Sequence, residues 1–514
     1  MRHRVVFGAV ITSFVAVGML AACGDDDDNA GTGSTPDSGP LGTETGTPST
    51  EAGIEEDAGS DAEPPGPNAI VPRTTTRIHN AINPYGLLFA SDGMLYASGA
   101  TMDGATRKLA VWRFKDDGTP DDTFGTGGVV TTDAFVDAVS SYDLVEVSAG
   151  NFVVQAVTTL PGQNVGKVWL LKLTRDVGGA WSFGAPVFVK FGYEEGEGWP
   201  VGTPSPPALP PSYASWGIGL DKSAPATPKI VVFAHGAPAK AAEAANQRVR
   251  HDRWITRVDA STLAFDTSFN GGKPYTVDAD EKNLEDNARR GLVLPDGSIV
   301  SSGYTNFTPD GNHVVLIRLK PNGTVDEGFG FGTSIPGQTK FNPFLPAKGF
   351  AEAYNVVRQT SGSYVTTGYG TSHFDVPSKA VDLVTFRVKA DGLDTSYGRQ
   401  GAFAWQSELD KGAGLGANAY MDRGRDLAVL PDDRIVHVGV YDDYASVMVT
   451  DKDGKPDPST GVNGLIEYSY PAAFFKVAVS PNKQKIAATA QSTPIPTDAG
   501  APLASVLVTL DVTP

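Results

Sequence analysis

Carboxylates at short spacing are the first residues of this 514-residue chain that could do chemistry. Asp451, Asp453 and Asp457 stand at alternating and near-alternating positions around Gly454, as the oxygens of a calcium loop would. Such a loop needs oxygens at positions 1, 3 and 5, Gly at 6 and a Glu at 12. Here position 5 is Lys455, Gly sits at 4 and position 12 is Val462. The same pattern recurs in "KDDGTPDDTFGTGGVV" from Lys115 to Val130, and in related stretches that put Pro321 or Ala390 among the ligand positions. Asp and Gly are also what tight turns require, because Asp bonds its own backbone and Gly accepts positive φ. The pattern therefore predicts structural turns and no dedicated metal site. A weak structural cation is the only cofactor it leaves room for.

Other reactive types are sparse. His79, His235, His251, His313, His373 and His437 show no metal-ligand spacing. No G-x-S-x-G elbow is present, and no catalytic residue is assigned. The glycines precede no helix and so form no phosphate cradle. One segment, Phe191 to Gly217, gathers aromatic rings and carboxylates. Tyr193, Glu194, Glu195, Trp199, Tyr213 and Trp216 are its candidate ligand-binding residues. Rings beside carboxylates bind sugars, peptides or cations. The competing reading is a loop that folds its rings onto the neighbouring sheet edge.

The elements that must position these residues repeat. Hairpin motifs such as "GLLFASDGMLYASG" at 86, "LVLPDGSIVSSG" at 292, "VVRQTSGSYVTTG" at 356 and "LAVLPDDRIVHVG" at 427 place a tight turn between two β-type runs. A third apolar run ending in a charge follows, as in "LAVWRFK" and "VVLIRLK". Then comes the Asp-Gly turn with its aromatic anchor, Phe124, Phe183, Phe269, Phe329 or Tyr397, and a fourth run. One unit is thus four short strands, a to d, and serial four-stranded units read as propeller blades. Copies start near Pro84, Tyr142, Trp216, Ala288, Tyr354, Arg425 and Lys476, which makes seven. The last copy lacks a strand d, whereas a spare run, "TTTRIHN" from Thr74 to Asn80, precedes the first. The spare run is expected to complete the seventh blade and leave the ring without a free edge. The pairing of a "PDG-hydrophobic-Gly" hairpin with "DG-x-x-D-x-x-[FY]-G" resembles the bacterial delta-60 repeat. The match is best at Asp296-Gly297, at Asp391-Gly392 with Tyr397-Gly398, and at Asp117-Gly118 with Phe124-Gly125. The resemblance implies a propeller in an envelope setting and no known reaction.

The N-terminal region reads differently. Arg2 and Arg4 precede an apolar run, Val5 to Leu20, that ends in Leu20-Ala21-Ala22-Cys23. Small residues before a lone Cys resemble the lipobox of bacterial lipoproteins, which implies lipid attachment at Cys23. Cys23 is the only cysteine, so no intramolecular disulfide forms. Residues 24–72 hold twelve acidic residues and no Lys or Arg. Such a segment buries too little apolar surface to order itself, and as a coil it would span about 40 Å. The expected division is a signal peptide over 1–22, a disordered acidic tether over 23–72 and a propeller over 73–514. Of the formal net charge of −18, the tether carries −12 and the signal peptide +2, so the propeller carries −8. No basic block remains for nucleic acid.

The expected fold is all-β: a seven-bladed β-propeller of four-stranded antiparallel blades, closed by an N-terminal strand. Repeated motifs fall in the a–b and c–d turns at one end. Long dissimilar segments fall in the b–c and d–a connections at the other, including a short helical insert over Lys240 to Arg250. Function favours variable loops, so the irregular face is the expected binding face. The expected role is a non-catalytic binding or interaction scaffold, anchored through Cys23 to the outer membrane, with an envelope protein, peptide or glycan as partner. A propeller enzyme acting on a polysaccharide and a purely structural envelope component are the alternatives. A carboxylate or histidine cluster at the channel mouth would favour the enzyme.

Overall fold

The computed structural model describes residues 67–513 except 105, 136–137, 160–165, 192–212, 237–251, 280–285, 308–310, 348, 372–380, 407–421 and 495–502. Cys23, the signal segment, nearly all of the tether and the helical insert expected over 240–250 lie outside the described residues. What is described forms seven antiparallel blades around one axis. Blade 1 runs Ala81–Phe89, Leu95–Asp103, Thr106–Phe114 and Val129–Thr132 from inside to outside. Blade 2 has a broken inner strand, Ala138–Ser140 and Leu144–Ser148, then Asn151–Thr159, Gly166–Arg175 and the outer pieces Trp181–Phe183 and Val187–Phe188. Blade 3 is Tyr213–Asp221, Lys229–Gly236, Asp252–Asp259 and Tyr275–Val277. Blade 4 is Asp286–Val293, Ile299–Phe307, Gly311–Leu319 and Gln338–Phe341. Blade 5 is Asn355–Arg358, Tyr364–Gly370, Asp382–Val388 and Ala402–Trp405. Blade 6 is Arg423–Val429, Ile435–Tyr441, Tyr444–Thr450 and Leu465–Glu467.

Blade 7 takes three strands from the end of the chain, Phe474–Val479, Lys485–Ala490 and Leu503–Val512, and its fourth from the beginning, Ile70–His79. Ile70 faces Val512 and His79 faces Ala504. The closing strand was expected from Thr74; it starts four residues earlier, with Ile70 buried in the core between blades 6 and 7. Ile70 lies at the end that carries the a–b and c–d turns. There the Asn68 amide bonds the Thr513 carbonyl at 3.0 Å, and Arg434 Nη1 donates to the Asn68 carbonyl at 2.7 Å. The chain therefore enters the ring on its regular face.

The Asp-rich turns join blades. In each well-formed copy a strand-c arginine pairs with the second motif aspartate: Arg113 with Asp121 at 2.6 Å, Arg257 with Asp266 at 2.8 Å, Arg318 with Asp326 at 3.2 Å and Arg387 with Asp394 at 2.8 Å. Each guanidinium lies 5.0–6.0 Å from the aromatic anchor of its own copy, Phe124, Phe269, Phe329 or Tyr397. Arg257 and Arg387 then reach the next blade, donating to the Pro321 carbonyl at 2.5 Å and the Lys452 carbonyl at 2.7 Å. Backbone bonds repeat the link: Asn270 N to Asn322 O, Gly330 N to Ala390 O and Gly398 N to Asp453 O. The turn glycines Gly323 and Gly454 hold φ near +80° and lie on the Phe269 and Tyr397 rings of the blade before, where a Cβ would collide. The would-be calcium ligands are spent in this clasp. Asp451 accepts from the Asp453 and Lys455 amides, both at 2.9 Å; Asp453 pairs with Arg387 at 3.3 Å, and Asp457 with Arg434 at 2.7 Å.

Candidate functional site: the axis and its irregular mouth

Each inner strand is interrupted where it passes the axis. The register shifts between Ile82 and Gly86, Ser215 and Gly217, Ala288 and Gly291, Gly424 and Asp426, and Phe474 and Lys476. In blade 2 the strand breaks at Ser141–Asp143, and in blade 5 it starts only after Tyr354. A bulge re-aims a side chain, and here the bulged residues fill the channel. The facing strand b supplies the room. A Cβ on Gly303, Gly368 or Gly439 would strike the carbonyl oxygen of Asn287, Glu352 or Arg423. This is why the hairpin motif ends in glycine.

The bulged residues form a plug with two layers. The first is aromatic. Tyr85 stacks on Phe475 at 3.8 Å, Trp216 on Phe475 at 5.5 Å, and Tyr142 bridges Tyr85 and Trp216 at 5.4 and 5.3 Å. Arg425 completes the layer, 5.0 Å from the Tyr354 ring and 5.3 Å from Phe475. The second layer, toward the regular face, is charged. Lys476 pairs with Asp143 at 3.2 Å and Asp426 at 3.9 Å. Arg290 crosses the axis to the carbonyls of Tyr142 at 3.3 Å and Tyr85 at 3.2 Å, and sits 3.6 Å from Asp143. Burying these charges is tolerable because they pair and hydrogen-bond one another.

Toward the irregular face, blades 4 to 6 build the mouth. Arg289 lies 4.4 Å over Trp216, 5.0 Å from Tyr304 and 4.8 Å from Tyr354. Its Nη2 donates to the Tyr304 hydroxyl at 2.7 Å and the Tyr354 hydroxyl at 3.4 Å. The Tyr354 and Tyr369 hydroxyls are 3.1 Å apart, and Arg423 lies 4.9 Å over the Tyr369 ring. Burial and the Glu352 carboxylate hold the Tyr369 phenol well above its ordinary range, so it stays protonated. A second group sits between blades 3 and 4. Asp252, Asp278 and Asp286 bring one oxygen each within 4.8 Å of one another. Fully buried Arg253 lies beside them, its pKa lowered to about 10 by burial while Asp286 resists the fall. Three carboxylates so placed could hold a divalent cation, and Arg253 already supplies part of the compensating charge.

The residues singled out from the sequence divide. Tyr193, Glu194, Glu195 and Trp199 lie outside the described residues. Tyr213 opens strand a of blade 3, and Trp216 stands three residues into that strand, 8% exposed, inside the plug. Trp216 is therefore a wall of the axis and not a loop residue. His235 bonds the Ala288 carbonyl at 3.1 Å, and His437 is buried against Trp405. The mouth residues Arg289, Tyr304, Tyr369 and Arg423 were missed. Their signal was the pair of tyrosines that follow the hairpin glycine in blades 4 and 5, where blade 1 has Ala100.

A family model described as a domain of unknown function (DUF5122) beta-propeller matches residues 90–124 and 294–329. Each window runs from an a–b turn to an aromatic anchor, Phe124 or Phe329. No curated protein matches the sequence. Among solved structures the chain is similar to the polysaccharide lyase Uly1, with 10% identity over 85% of this chain and 92% of that one and a TM-score of 0.42. It is also similar to Sqt1 from Chaetomium thermophilum, with 10% identity over 85% and 97% and a TM-score of 0.41. A third is virginiamycin B lyase from Staphylococcus aureus, with 9% identity over 84% and 98% and a TM-score of 0.36. Together the matched windows and the seven closed blades make this chain a β-propeller protein.

Proposed function

We propose that the chain is a lipid-anchored cell-envelope propeller that serves as a non-catalytic binding scaffold, with its irregular face as the binding face. One observation carries this reading: the chain enters the ring at Ile70 on the regular face. A tether over 23–72, lipidated at Cys23, would hold that face toward the outer membrane and leave the irregular face free. The regular face is also occupied by the Arg–Asp clasps, whereas the mouth residues gather on the other. An envelope protein, peptide or glycan is the partner this setting offers.

A panel of envelope glycans and peptides, probed with the full chain, tests the reading. Val177 is exposed in a c–d turn, and Asp443 is exposed in the b–c turn of blade 6. A bulky maleimide on Asp443→Cys is expected to abolish binding, and the same reagent on Val177→Cys to leave it intact. The reverse pattern overturns the assignment of the face, and turnover of a bound glycan overturns the non-catalytic role.

A further inference from the structure

The closing strand of blade 7 differs from the other outer strands. Those of blades 1 to 6 are at most four residues long, whereas Ile70–His79 has ten. Sheets blunt exposed edges with short strands, charges, proline or bulges, and six blades of this ring use short strands. The closing strand keeps its length, and among the described residues it pairs only with Leu503–Val512. Its outer edge is open. Pro72 has no N–H to donate and the register shifts between it and Thr74. The regular part of the edge is therefore Thr74–His79, about 20 Å of chain. There alternate residues turn both N–H and C=O outward.

This edge is held from behind. Thr74 Oγ1 donates to the Asp117 carbonyl at 2.5 Å and Thr76 Oγ1 to the Gly118 carbonyl at 2.9 Å, both in the c–d turn of blade 1. Ile78 is buried in the core between blades 7 and 1. A strand fixed on its inner edge and one face loses little entropy when a further strand adds. Alternation puts Thr75 and Arg77 on the opposite face, and both are exposed. Arg73 is exposed and pairs with Asp511 at 3.4 Å, whereas the Arg77 guanidinium has no ion-pair partner among the described residues. The two arginines decide the occupant. A second copy laid antiparallel along this edge about Thr75 would set Arg73 against Arg77, and like charges directly opposite destabilise. A strand with Asp or Glu at those positions is favoured instead.

We propose that Thr74–His79 takes an added β-strand from a partner protein, an extended acidic segment whose carboxylates meet Arg77 and Arg73. Main-chain hydrogen bonds supply affinity and the arginines select the charge. This surface lies at the rim of the ring and is independent of the binding face proposed above.

The test titrates the full chain with a fluorescein-labelled peptide, Glu-Val-Glu-Val-Glu-Val-Glu. Its controls are the same peptide with Lys for Glu and the same peptide with N-methylated internal amides. Anisotropy reads binding, and amide hydrogen exchange reads where it occurs. The Glu peptide should bind saturably and slow exchange in Thr74–His79, the Lys peptide should bind about tenfold more weakly, and the N-methylated peptide should not bind. Arg77→Glu, an exposed change with unchanged melting temperature as its folding control, should prefer the Lys peptide. No binding of the Glu peptide, equal binding of the N-methylated one, an unchanged preference in Arg77→Glu, or protection confined to the irregular face overturns the proposal. Binding seen only after residues 1–66 are removed would put the acidic tether on this edge. A dimer of the full chain with Thr74–His79 already protected would put a second copy there. Either result overturns the proposal of a separate partner, and none of these outcomes decides the Asp443 test of the binding face.

Discussion

His437 shows how a single side chain reports its surroundings. It is fully buried on strand b of blade 6, its Nε2 3.4 Å from the Thr450 hydroxyl. Burial lowers its pKa to about 3. The folded state therefore keeps His437 neutral while the unfolded chain takes up a proton below about 6.5. Its contribution is complete above the unfolded pKa and is lost as pH falls toward the folded one. Between pH 6.5 and 5 the wild type should lose about 2 kcal/mol that a His437→Gln variant does not lose. Urea denaturation at the two pH values measures the difference, and equal losses would show that His437 titrates normally. Asp394 is also shifted down, but here the fold favours the charged form. Burial works against its charge, yet Ser396, Lys389 and Arg387 hold its pKa down to about 2. Its ion pair with Arg387 is therefore lost only as pH falls toward about 2.

At the scale of elements, the clasp and the bulge explain the two repeated motifs. The clasp needs Asp394 beside Arg387, both almost buried, so Asp394→Ala leaves a guanidinium without its main partner. That change should cost about 3 kcal/mol in denaturant unfolding. Asp391 sits in the turn of the same copy without an ion-pair partner among the described contacts, and Asp391→Ala should cost less than about 0.5 kcal/mol. The bulge needs a strand-b glycine, so Gly439→Ala must displace the Arg423 carbonyl and should cost about 1–3 kcal/mol. Gly392→Ala meets open space and should be neutral. Both motifs were legible in the sequence as turns and strands, because Asp and Gly announce tight turns. Their partners were not. The strand-c arginines read only as charges ending an apolar run. The inner-strand bulges break the two-residue alternation by which a strand is recognised. That break is why Trp216, in "YASWGIGL", passed for a loop residue when it is part of the plug.

For the whole molecule, the count of seven blades and the closing strand were legible because each blade repeats the same turn chemistry and the last copy visibly lacked a strand. The start at Ile70 was not, since Ile70 and Val71 adjoin a segment whose composition reads as tether. The mouth was legible only in part. Asp252 and Asp286, or Arg289 and Tyr369, are well separated along the chain and converge only through blade packing. The closed ring aligns the bulges on one axis and fixes which face the chain enters. Two truncations compared by melting temperature test it most directly. Removing residues 1–66 should leave the melting temperature unchanged. Removing residues 1–79 takes away the strand paired from Ile70–Val512 to His79–Ala504, bares the edge of blade 7 and should lower it by more than about 10 °C. Equal melting temperatures for the two truncated chains would contradict closure by the N-terminal strand.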